Sequence, residues 1–488
     1  MISRTTQSLL GAVGVLALAI GIAEAHPPTG QAAVTGSAVR TAVQNSSLVC
    51  PPPLQGSGST VYSLAAPGSS SSTASSGSAS LTPLSAAPAT GGSAAPALVQ
   101  QTALGGATTA KAAAGDKAPA VLAAASGITA PGFTAQQTTT NGSSVSGAAC
   151  SESATDFWFV GADSNKGSND YVELTNVEDV SSDVDIRIFN SSGEVEGTQA
   201  SNIEVPADQT VSLLLSALLG PGNANTSLAV HVIVHTGRIA AALHADSGSE
   251  GADWIPATTL ATSQVIAGLP GDLSDATLVV ADPGAADADL SINLAWQGGL
   301  IVPSGHDSIH VKAGQVTAVD LGAITKGQPA ALVLTPSGVG QTVPFVAGIE
   351  VVRSKGGSSD TGYLAGAVSI GQRATAAGNT AGATTLLLSN PGTTAASVKV
   401  SSIGAVGGAP VVQTVPVAAG TTVSVTPQAP SGGGTFAVTV EPVSGGSVYA
   451  ARMLSSKDGP GFTVQQLTDD RSTVQIPQVV QDGSILMP

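Results

Sequence analysis

The sequence predicts an all-β protein built from three tandem β-sandwich repeats of immunoglobulin-like type, preceded by a low-complexity N-terminal segment. Three observations predict it. First, the turn Pro206-Ala207-Asp208-Gln209-Thr210 returns as Lys312-Ala313-Gly314-Gln315-Val316 and as Ala418-Ala419-Gly420-Thr421-Thr422. The two steps, 314 minus 208 and 420 minus 314, are both 106 residues, and repetition on that scale means tandem units. Second, each copy carries apolar residues at alternate positions, the signature of a strand with one face buried. Third, aromatic residues make up 3% and charged residues 10% of the chain, against 59 glycines. Its cores must then be assembled from Val, Leu, Ile and Ala, separated by many tight turns.

The repeats extend upstream of the turn. Leu174-Thr175-Asn176, Val280-Ala281-Asp282 and Leu388-Ser389-Asn390 match one another, and alternating runs start eight residues later at Val184, Leu290 and Val398. In the first copy Val184, Ile186 and Ile188 share one face, with Asp183, Asp185 and Arg187 on the other. Strands are expected over Asp156–Ala162, Tyr171–Asn176, Asn202–Val205, Thr210–Leu215, Leu228–His235 and Arg238–Asp246 as well, and seven short strands in about 100 residues suggest a sandwich. Thr236-Gly237 and Ser444-Gly445-Gly446 read as hairpin loops. Phe157-Trp158-Phe159, Trp254-Ile255-Pro256 and Tyr363-Leu364 read as aromatic or apolar openings of the repeats, each aromatic capping its own core. A β-propeller is disfavoured because its blades repeat at roughly 40 to 50 residues. Pro131-Gly-Phe-Thr-Ala-Gln-Gln137 is echoed by Pro460-Gly-Phe-Thr-Val-Gln-Gln466, which suggests two equivalent strands.

Residues 1–25 read as an export signal: Arg4, an apolar run from Leu9 to Ala23, and Ala23-Glu24-Ala25 before His26. Fifteen apolar residues fall short of the roughly 20 needed to span a bilayer, which favours cleavage over retention as a membrane anchor. Either outcome places the protein outside the cytoplasm, secreted or attached to the envelope. There its two cysteines, Cys50 and Cys150, are expected to pair, the alternative being two buried thiols. Residues 26–130, dominated by Ala, Ser, Gly, Thr and Pro, are expected to be mostly disordered, because so little apolar surface cannot offset the entropy of ordering. Ser47–Pro51 and Thr60–Leu64 interrupt that segment as strand-like islands. The repeats follow as 131–250 with its preceding strand, 251–358, and 359–488 with a C-terminal tail.

Composition excludes some functions. A net charge of -16 with 16 basic residues argues against nucleic acid, which needs clustered Lys and Arg. Cys-x-x-Cys, Gly-x-Ser-x-Gly and a phosphate-cradling loop are all missing from the sequence, so no cofactor is implied and no catalytic set stands out. His231 and His235 on a strand would lie about 13 Å apart, too far to share an ion. If Thr236-Gly237 is a hairpin, His244 is the closer partner of His231. His306 and His310 meet the same objection. Asp163-Ser-Asn165-Lys-Gly167-Ser-Asn169-Asp170 begins like a calcium loop but lacks its later ligands, and Asp272, Asp275, Asp282, Asp287 and Asp289 read as polar turns and faces.

Arg4-Thr5-Thr6, Ser47-Leu48-Val49-Cys50-Pro51, Phe157-Trp158-Phe159, Asp170-Tyr-Val-Glu-Leu-Thr-Asn176, Val448-Tyr-Ala-Ala-Arg-Met453 and Gln465-Gln-Leu-Thr-Asp-Asp-Arg471 carry a resemblance. With them the chain resembles an actinobacterial exported family of unknown function, over nearly its whole length. The resemblance implies a cell-envelope protein without an assigned activity. The expectation is therefore a non-enzymatic binding or scaffolding protein whose partner is an envelope protein or a wall polymer. A hydrolase of envelope glycan and an accessory subunit of a membrane enzyme are the alternatives.

Overall fold

The computed structural model describes residues 39–476, apart from 54–57, 70, 85–94, 113–117, 166, 197–199, 221–224, 249–250, 339–342 and 405–407. The expected export signal lies outside the described residues. Two compact units are present. One is described over residues 39–41 and 474–476, within the strands Val39–Ala42 and Thr473–Ile476 that pair as a two-stranded sheet. The other, residues 42–473, holds four sandwich modules, over 45–149, 156–255, 264–365 and 374–467.

All four have one topology. Numbered by the second module, whose strands are Asp156–Ala162, Tyr171–Thr175, Ser182–Asn190, Gly193–Glu194, Ile203–Val205, Thr210–Leu214, Leu228–Thr236, Ala240–Asp246 and Ala252–Ile255, strands run first–seventh–third–fourth in one sheet and sixth–second–eighth–ninth in the other. The second and third modules add a short fifth strand, Ile203–Val205 and Ser308–Val311, beside the third. The first two strands lie in different sheets, unlike the immunoglobulin order, where they are neighbours. Between the two sheets of each module lies an apolar core, such as that of Val184, Ile186 and Ile188 with Leu174 and Leu243 in the second. The alternation read from the sequence at Val184 and Leu290 belongs to third strands, Ser182–Asn190 and Ala288–Trp296. The repeated turn precedes the sixth strand, and its central residues Asp208, Gly314 and Gly420 all have positive φ, 55°, 73° and 70°. The repeat thus records a left-handed backbone position, to which Gly is suited and Asp adapts.

Each module also buries the outer face of one sheet against the next module. Trp158, Val160, Phe189 and Ala229 of the second module pack on Val279, Ala281, Val316 and Val346 of the third. Val265, Ala267 and Ala331 of the third meet Tyr449 of the fourth. Ala377 and Ala437 of the fourth meet Ala65 of the first, and Val49 and Ala120 of the first meet Ala240 of the second. Eight sheets therefore stack face to face in a closed ring.

Several expectations change. Among the described residues there are four modules, not three. The segment 26–130 is not disordered where it is described: with Thr134–Asn141 and Ser144–Ala149 it builds the first module, over a core of Tyr62, Leu64, Leu81 and small residues such as Ala123 and Ala125. Alone, the segment could not offset the entropy of ordering, but the ring covers both outer faces of the module, and small side chains let those faces approach closely. The loops at Thr236-Gly237 and Ser444-Gly445-Gly446 are not hairpins, since the strands they join belong to opposite sheets. Gly237 does have positive φ, 78°, so the turn residue was readable but the pairing was not. A propeller-like ring is also what forms, because the 106-residue period spans two interleaved sheets rather than one blade. The Pro131 and Pro460 echoes fall on an eighth and a ninth strand, Thr134–Asn141 and Phe462–Leu467, and are not equivalent.

Candidate functional site: the axial cavity

The ninth strands, Ser144–Ala149, Ala252–Ile255, Ser358–Ala365 and Phe462–Leu467, contact one another in cyclic order and line the axis of the ring. Beyond each, the chain makes one bridge to a first strand: Val49 with Ser151, Trp158 with Thr258, Val265 with Ala367, and Ala374 with Asp469. At that end the four segments diverge and leave a cavity of about 490 Å³, lined by all four modules. Such a volume suits a small ligand.

Its apolar wall includes Leu48, Phe133, Trp254, Val464 and Leu467, and its polar lining includes Gln136, Gln465 and Gln466. Gln466 ties the fourth module to the third, donating to the carbonyls of Ala267 (3.3 Å) and Ala365 (2.6 Å). Charged groups at the rim already have partners. Arg471 pairs with Glu152, and Arg373 pairs with Asp470, which also accepts from Thr375 Oγ1 at 2.8 Å. Burial pushes the Asp470 carboxyl up, opposed by the Arg373 charge. Asp469 accepts from the amides of Gly371 and Gln372, both at 3.0 Å. Glu173 accepts from Ser212 Oγ, and burial raises its pKa. The arrangement can enclose a ligand, and it presents no carboxylate without an existing hydrogen bond or ion pair.

Where the ninth strands begin, two carboxylates close the axis. Asp253 accepts from the amides of Gly147 and Trp254, both at 2.9 Å. Asp360 accepts from Ser144 Oγ and from the amides of Val145 (3.4 Å) and Phe462 (2.8 Å). Both are buried, and desolvation raises both pKa values.

The residues singled out in the sequence are dispersed. Cys50 and Cys150 form a disulfide, and both lie in the first module's core. His231 and His244 sit in opposite sheets, so the expected diagonal pair does not form. His231 bonds Asp156 at 2.7 Å and stacks on Trp158, ring centroids 3.9 Å apart. His235 bonds Asp185 at 2.8 Å, and His310 bonds Asp289 at 2.7 Å. Among the described residues, no group of three His, Cys, Asp or Glu side chains could hold a metal ion. In the Asp163 loop the Asp170 carboxylate accepts from the amides of Asp163 (2.7 Å) and Asp246 (3.1 Å). Trp158 seals the contact between the second and third modules instead of capping a core. Tyr363 completes the core of the second module from the third, and Trp254 lines the cavity. Sequence reasoning missed Gln136, Gln465, Asp253 and Asp360, which only ring closure brings to the axis.

Residues 109–428 match the profile of a family of unknown function, DUF5719, and the chain belongs to that family. No curated protein matches it. Among solved structures, it is similar to the crystal structure of a tetra-tandem repeat in the extending region of a large adhesion protein. That alignment has 13% identity, covers 81% of this chain and 92% of the other, and has a TM-score of 0.11, too low to carry any structural argument. No helix among the described residues is long and apolar enough to cross a membrane.

Proposed function

We propose that this member of the DUF5719 family is an exported, non-enzymatic binding or scaffolding protein of the cell envelope that takes its ligand in the axial cavity. The observation that supports this most is the cavity of about 490 Å³ lined by all four modules, an enclosure that no module forms alone. The disulfide fits an oxidising, extracytoplasmic compartment. A net charge of -16 speaks against nucleic acid and anionic lipid surfaces as partners. A glycan hydrolase would need two carboxyl groups free to act as acid and as base or nucleophile. The carboxylates lining this cavity are instead occupied by Arg373, Arg471, backbone amides and Ser212, which favours binding.

The test blocks the cavity mouth. Ala149 and Ala257 line it and are exposed, so Ala149→Trp and Ala257→Trp can obstruct it with little effect on the cores. Native protein and both variants are incubated with isolated wall polymer and with a detergent extract of the envelope. Retention that falls at least tenfold in both variants supports the reading. Equal retention by all three proteins rejects the cavity as the site, and release of soluble sugar from the polymer rejects the non-enzymatic role.

A further inference from the structure

In every module the eighth strand places one residue between a core residue of the second strand and a residue of the ninth. The central residues of these triplets are Gln137, Leu243, Ile349 and Arg452. Opposite them on the ninth strands stand Ala148, Ile255, Leu364 and Gln465. In the second and third modules these positions are aliphatic and belong to the cores. The fourth module puts a guanidinium there, with Leu386 of its core on the other side.

Arg452 is 0% exposed. Nη1 donates to the carbonyl of Ala377 and Nη2 to Gln465 Oε1, both neutral acceptors. Nε has no partner, and neither does Nε2 of Gln465. Among the described residues, no carboxylate forms an ion pair with Arg452, and burial alone draws its pKa down, to about 9, with no neighbouring charge opposing. Arginine therefore keeps its proton at neutral pH. Buried charges in proteins are paired, because an isolated one costs several kcal/mol. An unexplained buried donor points to a group that the protein atoms do not supply. Glycines flank the pair: a Cβ on Gly147 would come within 2.6 Å of Gln465 Nε2, and one on Gly378 within 3.7 Å of Arg452 Nη1. Gln465 also lines the axial cavity, so the guanidinium lies one side chain behind the cavity lining.

We propose that Arg452 holds a small monovalent anion at the inner end of the fourth module, with the unpartnered Nε as its donor. The chemistry is that of a halide or a carboxylate. A halide would come from solution, and a carboxylate would be the head of a molecule lodged in the axial cavity. Only the second source depends on the cavity being a ligand site.

The test follows thermal unfolding of the full chain and of Arg452→Leu, which installs the side chain found at position 243. Each is titrated from 1 to 200 mM with sodium chloride, sodium bromide, sodium acetate or sodium octanoate. The expected result is a midpoint that rises by several degrees with anion in the native chain and stays flat in the variant. A response to chloride and bromide identifies a free ion. A response to octanoate alone identifies the head group of a cavity ligand. Crystals grown in bromide should show an anomalous peak within hydrogen-bond distance of Arg452 Nε. Identical salt responses in the two proteins, or only water beside Nε both in crystals grown in bromide and in crystals grown in octanoate, overturn the proposal. If Arg452→Leu does not fold, Arg452→Lys and these crystals of the native chain decide the matter.

Discussion

The amide of Phe462 donates to Asp360 Oδ2 at 2.8 Å, so a carboxylate of the third module caps the innermost strand of the fourth. The same carboxylate accepts from Ser144 and Val145 of the first module. One side chain thereby joins three modules at the axis. Asp360→Ala removes the shared acceptor and leaves buried donors unmatched, at about 1 to 3 kcal/mol for each donor stranded. We expect a loss of about 2 to 4 kcal/mol, read as a lower urea midpoint. An unchanged midpoint would show that the axis is held by packing alone.

Asp282 is predicted to be a replaceable defect. Its equivalents Asn176 and Asn390 each donate from Nδ2 to a carbonyl at the end of a strand, Val205 (3.0 Å) and Val417 (3.2 Å). Asp282 keeps the turn bond to the amide of Gly284 at 2.7 Å, but its Oδ2 is buried without a partner. An ionised carboxylate cannot donate, and desolvation raises its pKa. Asp282→Asn should stabilise the protein by about 1 to 2 kcal/mol at pH 7. Because a raised carboxyl pKa weakens the folded state as pH climbs through it, the gain should grow from pH 4 upward. Denaturant titrations at several pH values check both the size and the trend.

Two buried groups give opposing pH dependences. Burial pushes Asp170 up to about 7. Its folded form therefore binds more protons than the unfolded chain between about pH 4 and 7, and it contributes stability that is lost as pH rises through that window. Burial pulls His244 down to about 4. Its contribution is present above about pH 6.5 and is lost as pH falls toward 4. His244→Phe removes the second effect only, so its stability relative to the native chain should increase steadily from pH 6.5 to 4. A constant difference across that range would mean that His244 does not titrate in the predicted window.

Contact between the second and third modules depends on Gly348. A Cβ at that position would lie 2.4 Å from the Val160 carbonyl oxygen, in a face-to-face contact that includes Val160 and Val346. Gly348→Ala should force these sheets apart and cost about 1 to 3 kcal/mol, the range for overpacking. Hydrogen exchange should then rise first along Asp156–Ala162 and Val346–Lys355. Exchange that rises uniformly would show that the ring yields as a whole.

What could be read in advance was local. The alternation at Val184, Ile186 and Ile188 fixed a buried face, and Asp208, Gly314 and Gly420 marked one turn three times. The first module was hidden because Ala123, Ala125 and their neighbours make a core whose side chains are too small to stand out from a flexible segment. The cavity was hidden because Gln136 and Gln465 are 329 positions apart in the chain and become neighbours of one space only when the fourth module meets the first.

The amino-acid order by itself determined that this protein is made of strands, where many of them run, which side of each is buried, and at what interval the pattern recurs. Those properties follow from side-chain periodicity and backbone preference, which act over a few residues. The tertiary structure decided which strands share a sheet, that the described residues form four modules, and that Arg452 occupies a site filled by Gln137, Leu243 and Ile349 in the others. The physical reason is that pairing and closure are selected by burial between distant segments. An alternating strand satisfies its own pattern equally well in either sheet of a sandwich, so only the competition among all faces for cover settles the arrangement.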